Sequence, residues 1–391
     1  MRSRTDSIVS ATEVHQWALQ RLLDARLLKD HGPRCKAAVV WHVVLRAAAR
    51  LISIFAACRD LTKAPCQQAV FNAMVAGLPR TLRVLEKRLN QALLGPVPRR
   101  LRRGSWSVAI DWHLVPYYGE PQHSRNEIYH SKARQGTTRF HAYATACIVQ
   151  YGERYTLALT WVRRHETTVV VLRRLLGRIR EIGLKIKRLL LDRAFFSCPV
   201  TGFLKAERLP FLMPVMFRGR KPKKRRARTG LHWLKRQKAG WYGHTLKSGK
   251  QTTRVRICVA YRSYRHHKTM KRGTQKLLFA AWRVHGAPTE IRERYRKRFG
   301  IESSYRQLRQ ARIYTCTRNP RLRLVFIAIA LILRNLWVWI HATILADGRG
   351  DDKTLRLERL RFKRLLDWIA QTVAAELHDG SVPCVVLDDK T

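Results

Sequence analysis

The period of the apolar positions changes twice along this chain. From residue 1 to about 98 they recur every three or four residues. Val14, Trp17, Ala18, Leu22 and Ala25 fall on one face of a helix, and Ser10 with Glu13 has the spacing of a capping box. A second helix is predicted over roughly 37–58. A third follows Thr62 or Ala64 with Pro65 near its first helical position, and a fourth covers 80–94. The segment "GPVPRRLRRG" (95–104) reads as a linker. Beyond it the period drops to two. "SWSVAID" (105–111) reads as a strand, and "FHAYATACIVQ" (140–150) with "RYTLALTWV" (154–162) reads as an antiparallel pair around the turn "YGE". "TTVVVLRRLLGRIREIG" (167–183) is an amphipathic helix, and "KIKRLLLD" (185–192) is a strand that would return parallel to the first. A helix near 201–208 and a strand at "FLMPV" (211–215) follow.

Strand, hairpin, helix, strand, helix, strand is the order of an RNase H-like mixed sheet. The second change comes at residue 216. The run "RGRKPKKRRAR" (218–228) reads as a flexible basic loop, and "TTRVRICVAYRSY" and "KLLFAAWRVHG" read as strands of a β-rich insertion. A charged helix over 288–310 and an apolar helix over 321–345 come next, then a tail with a helix near 354–377. The fold class is therefore α/β, an RNase H-like core preceded by an all-helical domain. The expected segments are a helical unit (1–98), the first part of the core (105–215), a basic β-rich insertion (216–286), a charged helix with a closing core helix (287–345), and a helical tail (346–391). The apolar stretch 324–346 is broken by Arg334 and Asn335. Its unbroken run, Leu324 to Leu333, is too short to cross a bilayer, so a buried core helix is expected and no membrane partner.

Charge sharpens the picture. The chain of 391 residues carries 78 Lys and Arg against 26 Asp and Glu, a net charge of +52. The basic residues run along almost the whole length. A folded protein with that self-repulsion needs a polyanion nearby, and nucleic acid is the leading partner over a ribosomal-type or membrane-surface role. The eight cysteines form no C-x2-C pair, which argues against a zinc ribbon, and they are expected as reduced, buried thiols. The fifteen histidines show no HExxH or paired metal spacing, and none is read as a metal ligand. The N-terminus shows no export signal, so a cytoplasmic location is expected.

Against this basic background the acids stand out. Between residues 31 and 346 there are three aspartates, Asp60, Asp111 and Asp192, and the last two end apolar strand-like runs. On the charged helix, Tyr295, Arg298, Glu302, Tyr305 and Arg309 follow one another at spacings of three or four, so a glutamate shares one stripe with two tyrosines and two arginines. In a mixed sheet of this order the positions of Asp111 and Asp192 are neighbours, and a helix packed there brings Glu302 close. Three bare carboxylates would repel one another. Two Mg²⁺ ions, with Mn²⁺ as a possible substitute, would relieve the repulsion and could activate water for phosphodiester chemistry.

These motifs resemble those of the DDE transposases of prokaryotic insertion sequences, in the group with a β-rich insertion before the glutamate and a Tyr-x2-Arg-x3-Glu-x6-Lys signature. The resemblance covers about 105–340. "AIDWHLVPYYG" is similar to the first-aspartate motif and "LLLDRAFFS" to the second, while Tyr295, Arg298 and Glu302 match the signature and Arg309 stands where the family usually has lysine. The resemblance implies Asp111, Asp192 and Glu302 as catalytic metal ligands. It also implies Tyr295, Arg298 and Arg309 as contacts to DNA phosphates, terminal inverted repeats and target DNA as substrates, strand cleavage followed by strand transfer, and a homodimer on DNA. The gap from Asp192 to Glu302 is long for a bare core, and the insertion accounts for it.

Other residues have two readings each. Arg193 contacts the scissile strand or forms a salt bridge at the sheet edge. Lys132, in "HSKARQG", belongs to a substrate loop or a solvated turn. Lys223, Lys224, Arg225 and Arg226 bind phosphates or are merely solvated. Trp233, Trp241 and Trp282 hold a flipped base or pack. The N-terminal helices are a helix-turn-helix-like DNA-binding unit or a plain bundle. A catalytically silent DNA-binding remnant and a structure-specific nuclease on the same fold are the alternatives to a transposase.

Overall fold

The computed structural model describes residues 9–150, 152–217, 230–265, 272–347, 354–378 and 384–385. A two-residue strand β1 (Val9–Ser10) leads into α1 (Ala11–Asp24), whose capping box forms as its spacing predicts, with Ser10 and Glu13 each bonded to the other's backbone amide. The expected helix over 37–58 is two helices, α2 (Ala37–Arg50) and α3 (Ile54–Arg59). Leu51 ends the first in the left-handed region at φ 58°, and the Ser53 hydroxyl caps the second. Helices α4 (Gln67–Gly77) and α5 (Leu82–Leu94) follow. The expected linker holds a short helix, α6 (Arg99–Arg103).

Strand β2 (Ser105–Pro116) runs five residues beyond Asp111, so this aspartate lies within the strand. "HSKARQG" is not a free loop: β3 (Tyr129–Arg134) turns at Gln135–Gly136, both at positive φ, into β4 (Thr137–Ile148). Then come β5 (Thr156–Val162), α7 (Thr168–Ile182), β6 (Lys185–Leu191), α8 (Cys198–Ala206) and β7 (Phe211–Pro214). Across the core the order is β5, β4, β2, β6, β7, with β2–β6 and β6–β7 parallel and β4 antiparallel to β2, to β5 and, near its start, to β3. This is the RNase H-like arrangement that the element order predicts. The inserted strands β8 (Gly240–Ser248), β9 (Gln251–Arg265) and β10 (Arg272–Trp282) do not form a separate sheet. β10 pairs antiparallel with β7, which extends the core sheet through β9 to β8.

Period-two alternation gives the sheet two faces. Val108, Ile110, Leu189 and Leu191 join the main core, which also contains α1, α2, α5, α7 and α11 (Pro320–Thr343). Ala109, Leu190, Leu212 and Phe279 form a smaller core on the opposite face, under Ile291 and Tyr295. Helix α11 is long and apolar enough to span a membrane, but it is a buried core helix here. The last long helix, α12 (Phe362–His378), packs on α1 and α2, where Arg46 Nη1 donates to the Ala370 carbonyl at 2.7 Å. The described cysteines are free; Cys66 and Cys316 are exposed, against the expectation of burial, because both sit outside the regular elements.

Strand β5 is an edge strand, and buried side chains complete its backbone pairing. Asn335 lies fully buried on α11. It accepts from Thr156 N (2.9 Å) and donates to Thr156 O (2.8 Å) and Leu93 O (2.9 Å). Asn90 on α5 accepts from Leu159 N (2.7 Å) and donates to Leu159 O (2.9 Å), and Glu86 accepts from Trp161 N (2.8 Å). The polar interruption of the apolar run at 334–335 thus has a structural cause. An open edge with unmet amides is costly and prone to pair with other chains. Replacing Asn335 with leucine leaves three backbone groups buried without partners. We expect Asn335→Leu to destabilise the fold by roughly 2–5 kcal/mol, read as a lowered urea midpoint.

His141 gives a second test. It is 1% exposed, against the edge of the Tyr117 ring at 4.5 Å, and burial, aided by Arg323, pushes its pKa down to about 3. The folded state therefore keeps it neutral, while the unfolded chain takes up a proton below about pH 6.5. Its contribution to stability is complete above that pH and is lost as pH falls from about 6.5 toward 3. Urea midpoints measured between pH 7 and 5 should fall less steeply in His141→Gln than in the parent.

Candidate active site at the ends of two parallel strands

The parallel register pairs Ala109 with Leu190 and Ile110 with Leu191. One step further places Asp111 beside Asp192, the residue that follows β6 and starts the turn Arg193–Phe195. By strand alternation both carboxylates lie on the smaller-core face. That face is covered by α9 (Pro288–Arg296) and α10 (Phe299–Leu308), two helices where one was predicted. The joint is made by Arg298 N donating to Tyr295 O (2.9 Å) and Gly300 N to Lys297 O (3.1 Å), three-residue spans that tighten the chain.

That joint aims Arg298 at the aspartates. Its Nη1 donates to Asp111 Oδ2 at 3.1 Å and its Nη2 lies 3.8 Å from Asp192 Oδ1, while the residue is only 6% exposed. One buried guanidinium thus serves two carboxylates, and its planar fork suits the task better than a lysine would. The Trp112 amide gives Asp111 Oδ1 a further bond at 2.8 Å. Two tyrosines fix the backbone on which the acids stand. Tyr295 donates to the carbonyl of Leu191 (3.2 Å), and Tyr305 donates to that of Asp111 itself (3.2 Å) while also bonded to the Thr145 hydroxyl at 2.7 Å. Burial raises the pKa of both phenols, so each keeps the proton it donates.

On the other face Trp112 stacks between Tyr129 at 6.2 Å and Phe195 at 5.6 Å. Phe195, from the segment "DRAF", thereby locks the turn after Asp192 onto the strand of Asp111. His113 packs its ring on Tyr305 at 5.0 Å; burial, with Arg309 and Arg312 nearby, pushes its pKa down to about 4.

The structure therefore brings together Asp111, Asp192, Arg298, Tyr295 and Tyr305. Glu302 lies on α10, but its side chain falls outside the described residues. Tyr295 and Arg298 are directed inward to the carboxylates and strand carbonyls, where the sequence suggested phosphate contacts. Arg309, Arg193 and Lys132 are exposed. Lys223, Lys224, Arg225 and Arg226 lie outside the described residues. Of the tryptophans, Trp241 donates to Gly286 O (3.0 Å) beneath the Arg256 guanidinium, Trp233 packs edge-on to Tyr242, and Trp282 carries Arg283 over its ring. Tyr305 was seen as part of a stripe, but its role in holding Asp111 was not; the signal was its spacing of seven from Arg298.

The donor set suits a hard divalent cation. It offers carboxylate oxygens on adjacent strands, and the site already balances a buried positive charge between them. The Asp111 and Asp192 side chains are partly buried, 16% and 34% exposed. A cavity of about 700 Å³, lined by Arg80, Arg163 and Arg321 among others, lies elsewhere.

Comparisons with known proteins agree with this geometry. Residues 102–336 match the family model described as the transposase DDE domain. Among solved structures, the piggyBac transposase synaptic complex with hairpin DNA is similar, with a TM-score of 0.50 and 11% sequence identity over 94% of this chain and 78% of that one. At that identity the likeness speaks for the fold alone. None of the curated protein sequences matches.

Tyr305→Phe removes one hydroxyl and leaves the Asp111 carbonyl and the Thr145 hydroxyl short of a partner. We expect a stability loss of about 1–2 kcal/mol, measured by denaturant titration.

Proposed function

Because the chain belongs to the DDE transposase family, enzymes of phosphoryl transfer on DNA, we propose that it mobilises a prokaryotic insertion sequence. It binds the element's terminal inverted repeats, cuts a strand at each end and joins the freed 3′-hydroxyl to the opposite strand or to target DNA. One observation carries this reading: Asp111 on β2 and Asp192 just past the end of the neighbouring parallel strand β6 are bridged by an arginine from the helix pair that also bears Glu302.

Asp111, Asp192 and Glu302 would hold the Mg²⁺ ions, two of them, with Mn²⁺ able to replace them. Bound there, a divalent cation supplies an activated water and charge stabilisation for the leaving oxygen. The protein's own groups do the rest. Tyr295 and Tyr305 fix the strand carbonyls. Arg298 is a positioning residue that orients both carboxylates. Exposed Arg309, Arg193 and Lys132 face solvent and can neutralise phosphates, and the basic run containing Lys223, Lys224, Arg225 and Arg226 can extend that footprint. The net charge of +52 supports DNA as partner, as does the similarity to a transposase solved in a synaptic complex with hairpin DNA. A homodimer holding both ends, at work in the nucleoid, completes the proposal.

The test is a cleavage and strand-transfer assay on DNA carrying the element's ends, with Mg²⁺ or with EDTA. Asp192→Asn and Glu302→Gln should each lower cleavage by roughly 10³-fold while leaving DNA binding intact. Arg298→Lys should lower cleavage but change DNA affinity less than twofold; an affinity loss with normal cleavage of the bound complex would instead make Arg298 a phosphate contact. DNA affinity should fall by about 10³-fold or more between 50 and 200 mM salt. Tight binding without metal-dependent nicking would overturn the enzymatic reading, and nicking without joining would leave a nuclease.

A further inference from the structure

Far from the sheet carboxylates, His15 on α1, His42 on α2 and Glu376 on α12 meet. His15 is 0% and His42 8% exposed, and their rings pack edge-on at 5.0 Å. Neither ring makes a hydrogen bond through either nitrogen, although all four nitrogens are buried. Leaving such groups unmet costs about 1–3 kcal/mol each, and folded cores rarely do so. His15 Nδ1 stands 3.4 Å from Glu376 Oε1, and His42 Nδ1 3.3 Å from Glu376 Oε2. Each separation, one to either oxygen of the carboxylate, is close to the spacing of about 3.3 Å between neighbouring ligand atoms on a tetrahedral Zn²⁺ with bonds of about 2.0 Å. The three ligand atoms all lie within 4.8 Å of one another.

We propose that His15, His42 and Glu376 form a zinc site that fastens the last long helix to the first two. The chemistry of the donors supports it. Two imidazoles and a single carboxylate suit Zn²⁺, whereas Mg²⁺ prefers an octahedron of oxygens. The Glu376 side chain is 41% exposed, which gives an ion a way in and leaves the fourth position to water. The arrangement escapes sequence inspection because its ligands come from opposite ends of the chain. Its effect would be to close the loop between the N-terminal helices and α12, which already meet through Arg46 and Ala370.

The experiment measures metal content and thermal stability of the full chain. We expect one equivalent of zinc by mass spectrometry of the dialysed protein. Zn²⁺ should raise the apparent melting temperature by about 3 °C at a hundredfold excess over its dissociation constant, and Mg²⁺ should not reproduce that rise. Co²⁺ should give the visible absorption of a tetrahedral complex. Glu376→Gln, an isosteric change at a partly exposed position that keeps the fold, and His42→Gln should each lose at least nine-tenths of the bound zinc. Asp111→Asn with Asp192→Asn should retain it, which separates this site from the sheet carboxylates. A parent protein that binds no zinc, or a Glu376→Gln variant that binds as much, overturns the proposal.

Discussion

Everything at the end of the core sheet follows from two like charges that the backbone holds side by side. Parallel pairing of β2 with β6 leaves Asp111 and Asp192 no choice of neighbour. Two like charges on adjacent strand ends repel, the more so where burial weakens the screening by water. Arg298 offsets that repulsion, and it reaches both acids because the chain tightens between α9 and α10. A single straight helix would have carried the guanidinium past them. The tyrosines on either side of it bond the carbonyls of Leu191 and Asp111. Tyr295, Arg298 and Tyr305 therefore act as one clamp on the strand ends that carry the two aspartates.

A second constraint ties the helical N-terminus to this sheet. Strand β5 has one side paired with β4 and the other facing helices. Asn90 and Glu86 on α5 and Asn335 on α11 supply the bonds that a further strand would have made. Helices that might have formed an independent unit are thus in contact with the core through buried polar groups, where each unmet amide is expensive. The inserted strands show the opposite solution. They meet the other end of the sheet by adding strands to it, so the basic surface of the insertion is mechanically continuous with the strands that bear the aspartates.

Much of this was legible in the chain. The period-two runs located β2, β4, β5 and β6, and their order gave the parallel return of β6 beside β2. The scarcity of aspartate in a strongly basic chain singled out Asp111 and Asp192. Helical spacing placed Glu302 between Arg298 and Tyr305. These are properties of local periodicity and composition, which do not need the fold to be known.

Other features needed three dimensions. The helix break at Leu51 and the one before Phe299 depend on backbone turns that no apolar pattern encodes. Strand β3 was read as a loop because its polar face left no alternation to detect. The inward placement of Tyr295 and Arg298 could not be read from a stripe, since a stripe does not say whether it faces solvent or a carboxylate. Asn335 looked like an interruption and is a bond to an edge strand. The sequence by itself determined the core strands β2, β4, β5 and β6, the parallel return of β6 and the acids, because those follow from periods of a few residues and from charge. Only the tertiary structure decided which groups neutralise the acids and which complete the edges, because those partners lie up to 187 residues apart and meet through packing alone.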